Sequence, residues 1–215
     1  MDRREFFRLG AKKTAKIAVD TAEKRVNQKA SRWIRPPFAL LELDFITSCS
    51  RCGDCIAVCP HQVIFPLPVR VGVEVAGTPA MDLLNHGCHL CEDWPCVTAC
   101  EPDALVIPEI NSADSSAEVS LEDTEKGKDD EESDSELIAT LTIPKMAEAE
   151  IDEQQCLPYS GPECGACRGS CPIEGALVWQ DEKPKIDADL CVGCAMCREA
   201  CITEPKAVTI RSNYS

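Results

Sequence analysis

The sequence predicts an α+β protein made of two similar modules, joined by an acidic linker and preceded by a helical arm. Sixteen cysteines among 215 residues fall into four tight groups, two on each side of an acidic stretch. Similar cysteine spacings recur along the chain, which indicates internal duplication. Aromatic residues make up only 5% of the chain, so we do not expect a large core.

Residues 1–35 predict a basic, helical arm. They hold eleven Arg or Lys residues and four Asp or Glu residues, a net charge of +7. Residues 3–33 contain no proline, and Pro36 with Pro37 ends the segment because proline stops a helix and disfavours helix in the residue before it. Two interpretations are open: a solvated leader, or an arm that docks on a partner or associates peripherally with an anionic membrane surface.

The first ten residues, MDRREFFRLG, resemble a twin-arginine export signal. An export signal also needs an apolar region of about 7–15 residues, and charges interrupt the segment that follows. We therefore predict a retained N-terminus and a cytoplasmic protein. The alternative is a periplasmic protein, if this N-terminus or a partner directs export. No stretch approaches the roughly 20 apolar residues of a membrane helix, so no transmembrane segment is expected.

The acidic stretch divides the rest of the chain. Residues 111–136 hold eleven acids and two lysines and almost no large apolar side chains, which predicts a disordered linker. The modules on either side are residues 36–110 and 137–215. The net charge of −15 argues against a nucleic acid partner, because phosphate binding needs a basic surface.

The four cysteine groups carry the chemistry. The first and fourth have the spacing Cys-x2-Cys-x2-Cys-x3-Cys, the second has an enlarged Cys-x4-Cys gap, and the third has seven residues between its first two members. In chain order the groups are Cys49, Cys52, Cys55 and Cys59; Cys88, Cys91, Cys96 and Cys100; Cys156, Cys164, Cys167 and Cys171; and Cys191, Cys194, Cys197 and Cys201.

This spacing is typical of 4Fe–4S clusters. Three thiolates on one short loop can hold three corners of a cubane, and the fourth cysteine, which points away, ligates the other cluster in bacterial two-cluster ferredoxins. The sequence therefore predicts two bacterial-ferredoxin-like modules with four 4Fe–4S clusters and all sixteen cysteines as iron ligands. We expect the metal-free chain to be largely unfolded, because modules of about 70 residues often need metal support.

Two cluster arrangements are open. If the groups pair in sequence order, the first cluster takes Cys49, Cys52, Cys55 and Cys100; the second takes Cys88, Cys91, Cys96 and Cys59; the third takes Cys156, Cys164, Cys167 and Cys201; and the fourth takes Cys191, Cys194, Cys197 and Cys171. The 19 residues between the third and fourth groups favour this pairing in the second module, since they read as strand, turn and strand. The alternative nests the second and third groups between the first and fourth.

Other interpretations of the cysteines are weaker. Zinc loops do not usually add a fourth cysteine followed by proline, disulfide frameworks suit small secreted domains, and a 3Fe–4S cluster would leave a ligand unused. His61, His86 and His89 lie beside the motifs, which favours surface or outer-sphere positions over iron ligation. Trp94 and Trp179 are expected to pack over clusters rather than line an electron exit.

No nucleophile–base pair or phosphate loop stands out, so no catalytic residue is predicted. Apolar residues beside the ligands are expected to seal the clusters from water. They are Ile56, Val58, Val97, Leu105, Leu177 and Val192.

The motifs together resemble the ferredoxin-type proteins of the MauM/NapG group, with the NapF kind close to them. The resemblance rests on IRPPFAL, CSRCGDCIAVCP, CHLCEDWPCVTACEPDAL, ECGACRGSCPIEGAL and CVGCAMCREACITEPKAVTI, and it covers residues 35–210. It implies a polyferredoxin that relays electrons between a membrane quinol-oxidising partner and a downstream reductase or dehydrogenase. The other function considered is an assembly or maturation factor for an oxidoreductase, as proposed for NapF-type proteins.

Overall fold

The computed structural model describes Thr21, residues 23–108 and residues 143–214. The predicted linker and most of the predicted arm, residues 1–20, lie outside the described residues. Helices in the described part are short: α1 (23–30), α2 (Glu42–Ser48), α3 (Asp54–Ala57), α4 (Pro95–Thr98), α5 (Leu157–Ser160) and α6 (Met196–Glu199). The strands are β1 (Ile64–Pro66), β2 (Pro79–Met81), β3 (Ala147–Ile151), β4 (Leu177–Gln180), β5 (Lys183–Ile186) and β6 (Val208–Ser212).

The strands form three small antiparallel sheets. Strand β1 pairs with β2, with Ile64 opposite Met81. Strand β3 pairs with β6 near the C-terminus, with Ala147 opposite Ser212. The mixture of short helices and sheets agrees with the predicted α+β class.

The predicted strand–turn–strand between the third and fourth cysteine groups is confirmed. Strands β4 and β5 form a hairpin in which Leu177 lies opposite Ile186 and Gln180 lies opposite Lys183. Its two turn residues, Asp181 and Glu182, have φ of 49° and 62°. Positive φ at both positions matches the right-handed twist of the strands, so the turn closes the hairpin tightly.

Prolines limit the strands of the first half of the chain. In VIFPLPVRVGVEVAG, β1 ends at Pro66 and a 3₁₀ turn covers Val69–Val71; its partner β2 lies further along the chain. Proline cannot donate a ladder hydrogen bond, which keeps β1 short. In the described residues 143–146 no strand forms, and β3 begins at Ala147.

One apolar core joins the two halves of the chain. It contains Phe38, Phe45 and Trp94 from the first half with Val192 and Ala195 from the second. A smaller cluster holds the end of the arm, where Ala30 and Trp33 are buried against residues of the first half. The chain after α1 is therefore built into the protein rather than solvated.

A buried ion pair lies beside this core. The Arg35 guanidinium hydrogen-bonds to the Glu42 carboxylate through Nε at 2.9 Å and Nη2 at 2.5 Å. Its Nη1 donates to Thr78 Oγ1 at 2.9 Å, and its Cζ atom lies 4.5 Å from the centroid of the Phe45 ring. These contacts fix the chain between α1 and the first cysteine loop.

No helix in the part of the chain that the structure describes is long and apolar enough to cross a membrane.

Candidate metal centres

Three of the cysteine groups share one local geometry. In each, a one-turn helix carries the third cysteine as its second residue: Cys55 in α3, Cys96 in α4 and Cys197 in α6. In each, the fourth cysteine lies two residues beyond that helix, as Cys59, Cys100 and Cys201 do. The helix therefore turns the fourth thiol away from the other three.

A residue with left-handed backbone conformation directly precedes each of these helices, at the N-cap position. It is Gly53 with φ of 86°, Trp94 with φ of 43°, and Ala195 with φ of 65°. Left-handed backbone is strained for a bulky side chain such as tryptophan. The two extra residues in CHLCEDWPC therefore lie before Trp94. From Trp94 onward the backbone of the second group has the same left-handed residue and one-turn helix as the first.

In the first half of the chain the fourth cysteines cross over. Burial raises the pKa of the Cys55 thiol to about 11, and the next contributions come from Cys100, Cys49 and Cys52. Burial likewise raises the pKa of Cys96 to about 12, with further contributions from Cys88, Cys59 and Cys55. Cys100 is therefore close to the first group, and Cys59 lines one cavity with Cys88, Cys91 and Cys96 of the second.

The same crossing occurs in the second half. Burial raises the pKa of Cys156 to about 11, and the thiols of Cys167, Cys201 and Cys164 raise it further. Burial raises the pKa of Cys197 to about 12, with further contributions from Cys194 and Cys191 of its own group and from Cys171 and Cys167 of the third. Each fourth cysteine thus lies near thiols of the neighbouring group. We call the first three cysteines of a group, taken with the neighbouring group's fourth cysteine, a thiol set.

The chemistry of the thiol sets fits iron–sulfur clusters. In the described residues no three Cys, His, Asp or Glu side chains are arranged to hold a single metal ion. One zinc ion would draw four ligands to about 2.3 Å from a single point. A 4Fe–4S cubane instead takes each thiolate on a different iron, so its four sulfurs stand further apart. Four soft thiolates in a set are the ligands that iron–sulfur clusters use.

Apolar side chains enclose most of these sets. Val97, Leu105 and Val192 are buried, as predicted, and Ile56 and Leu177 are half-buried. Val58 is 41% exposed, so its predicted sealing role is wrong. It is the residue that directly follows α3.

Hydrogen bonds reach several sulfur atoms. The Leu105 N–H donates to Cys100 Sγ at 3.4 Å. Burial raises the pKa of the Cys201 thiol, but hydrogen bonds from the Thr203 side chain and from backbone N–H groups bring it below its ordinary value. The Thr203 hydroxyl lies 3.2 Å from Cys201 Sγ. Donors at sulfur stabilise the charged thiolate and raise a cluster's reduction potential.

The histidines and tryptophans lie beside the thiols. The rings of His61 and His89 stack at 3.5 Å on the surface, and His86 is exposed. Trp94 lines the apolar cavity that contains the second set of thiols, and its ring meets Phe38 edge-on at 4.9 Å. Trp179 is half-buried under the Arg168 guanidinium, 4.5 Å away.

Sequence reasoning did not identify the residues that hold the two halves together. The Cys88 N–H donates to the Cys194 carbonyl at 2.7 Å, and the Gly87 N–H donates to Glu199 Oε2 at 2.6 Å. Arg198 Nε donates to the Leu84 carbonyl at 2.9 Å. A charged Arg-Glu pair inside a cysteine motif is the signal that could have suggested a contact there.

The chain is similar to several curated ferredoxin-type proteins. It is 29% identical over 192 residues to the methylamine utilization ferredoxin-type protein MauM of Methylobacillus flagellatus, covering 84% of this chain and 69% of that protein. It is 29% identical over 189 residues to the ferredoxin-type protein NapG of Escherichia coli, covering 82% of this chain and 69% of NapG. With MauM of Methylorubrum extorquens the identity is 27% over 225 residues, covering 97% and 88% of the two chains.

The chain is a relative of the MauM and NapG ferredoxin-type proteins. No family model matches it, and no solved structure matches it. It is also 27% identical over 180 residues to the ferredoxin-type protein NapF of Escherichia coli. The similarity to these ferredoxin-type proteins and the sixteen cysteines together support an iron–sulfur, electron-transport role.

Proposed function

We propose that the chain carries four 4Fe–4S clusters and relays electrons between a membrane quinol-linked partner and a redox enzyme. The observation that supports the proposal is the closeness of each fourth cysteine, Cys59, Cys100, Cys171 and Cys201, to thiols of the neighbouring group. Crossed ligation is how bacterial ferredoxins hold two clusters close together. A protein with several such sites in one core is suited to passing electrons along its length.

The ligand sets follow the pairing in sequence order. The first cluster would take Cys49, Cys52, Cys55 and Cys100; the second Cys88, Cys91, Cys96 and Cys59; the third Cys156, Cys164, Cys167 and Cys201; and the fourth Cys191, Cys194, Cys197 and Cys171. The proximity of Cys100 to the first group supports this pairing over the nested one, which would bring Cys100 to the third group.

The protein's own groups control what the clusters do. When bound, each cluster supplies a site that accepts or donates one electron. Buried side chains such as Trp94, Val97 and Leu105 exclude water from the thiolates. Donors such as the Leu105 N–H and the Thr203 hydroxyl bind sulfur and set the potential.

The partners are proposed from the relatives and from the arm. MauM is named for methylamine utilization, and we propose a comparable place for this chain between a quinol-linked donor and a downstream reductase or dehydrogenase. The basic residues 1–35 would serve peripheral association with an anionic membrane surface or with the partner. The compartment we propose is the cytoplasm, with the periplasm as the alternative.

The test is turnover-linked reduction of the clusters. The protein is purified anaerobically together with the oxidoreductase that accompanies it, and the visible spectrum of the clusters is followed while that enzyme turns over. We expect reduction and reoxidation at the rate of turnover. Clusters that keep one redox state while the enzyme turns over would contradict the relay and favour an assembly factor, the function considered for the NapF kind.

A further inference from the structure

The two halves of the chain touch at two of their cysteines. The Cys88 N–H donates to the Cys194 carbonyl at 2.7 Å, at the short end of the range for such bonds. Both side chains are buried, at 9% and 6% exposed. From one thiol to the other the route runs through the two side chains, their backbone atoms and this single hydrogen bond.

Side chains from the fourth cysteine group clamp this contact. Glu199 accepts the N–H of Gly87, directly before Cys88, and the neighbouring Arg198 donates to the Leu84 carbonyl. A Cβ atom at Gly87 would lie 2.6 Å from Met196 Sδ and 3.0 Å from Met196 Cα. Only glycine therefore lets the backbone of Cys88 come this close to α6.

Burial separates inner from outer thiol sets. The second and fourth groups each have two buried cysteines, Cys88 and Cys96 in one and Cys194 and Cys197 in the other. The first and third groups each have one, and Cys52 of the first group is exposed. The sets that meet at the contact are thus the more enclosed ones, and the other two lie nearer to solvent.

We propose that the Cys88–Cys194 hydrogen bond is the electronic contact between the two halves. The electron route then runs from the first site through the second and fourth to the third, so its order differs from chain order. One electron crosses in either direction: the donor site loses it, the acceptor site gains it, and no bond or proton is exchanged. Gly87 and Glu199 are positioning residues for this crossing. The inference rests on the four-cluster function proposed above.

The experiment compares magnetic coupling in matched variants of the full-length, cluster-loaded protein. Adjacent reduced clusters broaden and split each other's EPR signals. Couplings within each half are common to all variants, so difference spectra isolate the coupling across the Cys88–Cys194 contact. We expect part of the coupling to be lost in Gly87→Val and in Glu199→Ala. It should persist in Glu199→Gln, which keeps an oxygen that accepts the Gly87 N–H.

Gly165→Ala is the matched control. Gly165 also adjoins a cysteine, but a Cβ there would have nothing within 4 Å. Iron analysis accompanies every spectrum, with about 16 Fe per chain as the criterion of full loading. If Gly87→Val does not take up the full iron content, the coupling measured in the two Glu199 variants is the test. Unchanged coupling in a fully loaded Glu199→Ala overturns the inference and leaves the four-cluster function intact. Parent protein with far less iron overturns both.

Discussion

The guanidinium of Arg35 and the carboxylate of Glu42 form a two-point hydrogen-bonded ion pair whose side chains are 7% and 0% exposed. Trp33 Nε1 adds a third hydrogen bond to the same carboxylate at 3.2 Å. The pair joins the end of the arm to α2, which leads directly into Cys49. A charge pair at this position fixes where the first cysteine loop begins.

Loss of Glu42 should destabilise the protein strongly. Glu42→Ala leaves the Arg35 charge buried without its partner, which costs about 3–5 kcal/mol. The measurement is the midpoint of unfolding in guanidinium chloride, followed by cluster absorbance and tryptophan fluorescence. Glu150→Ala is the control, because Glu150 pairs with Arg211 at 3.4 Å on the surface, where both side chains are more than half exposed. That control should shift stability by no more than ~0.5 kcal/mol; equal losses in the two variants would refute the role given to Arg35 and Glu42.

Removal of Cys100 should damage the site of the first group and leave that of the second. Cys100→Ala is expected to lose up to about four irons, the content of one cluster. Adding Cys49→Ala should cause little further loss because both ligands serve one site, whereas adding Cys88→Ala should cause a separate loss. Iron analysis of the three proteins decides the matter. The opposite pattern, in which Cys49→Ala adds a separate iron loss and Cys88→Ala does not, would exclude the crossed arrangement.

The hydroxyl of Thr203 should raise the potential of the cluster bound by Cys201. Thr203→Val removes a hydrogen bond of about 1 kcal/mol to the sulfur, which for a one-electron couple corresponds to a fall of ~40 mV. An EPR-monitored redox titration measures it. Thr209→Val is the control, since the Thr209 hydroxyl bonds the Glu150 carbonyl on the surface. A rise in potential, or equal shifts in both variants, would contradict the role assigned to Thr203.

The indole of Trp94 should protect the second thiol set from water and oxygen. Its side chain is 6% exposed and lines the cavity that holds Cys59, Cys88 and Cys96. Trp94→Ala should therefore lose about four irons faster in air than the parent, while Trp94→Phe, which keeps an aromatic ring there, should lose them more slowly than the alanine variant. Iron content after timed exposure to air is the measurement. Identical decay in all three proteins would mean that Trp94 does not shield the site.

The local pattern of the site could be predicted from the sequence, because cysteine spacing and turn residues act over a few positions. The four groups, the hairpin between Leu177 and Ile186 and the α+β class follow from such short-range signals. The contact between Cys88 and Cys194 could not be predicted, since it joins residues over a hundred positions apart through backbone atoms that any residue has. The burial of Arg35 could not be predicted either, because it depends on how α2, which carries Glu42 and Phe45, packs against the end of the arm.

Iron and acid-labile sulfide analysis of anaerobically purified protein, with EPR of the reduced form, tests the four-cluster relay. We predict about 16 Fe and 16 sulfides per chain, with spectra of interacting reduced 4Fe–4S clusters. Zinc in place of iron, or iron without matching sulfide, would contradict it.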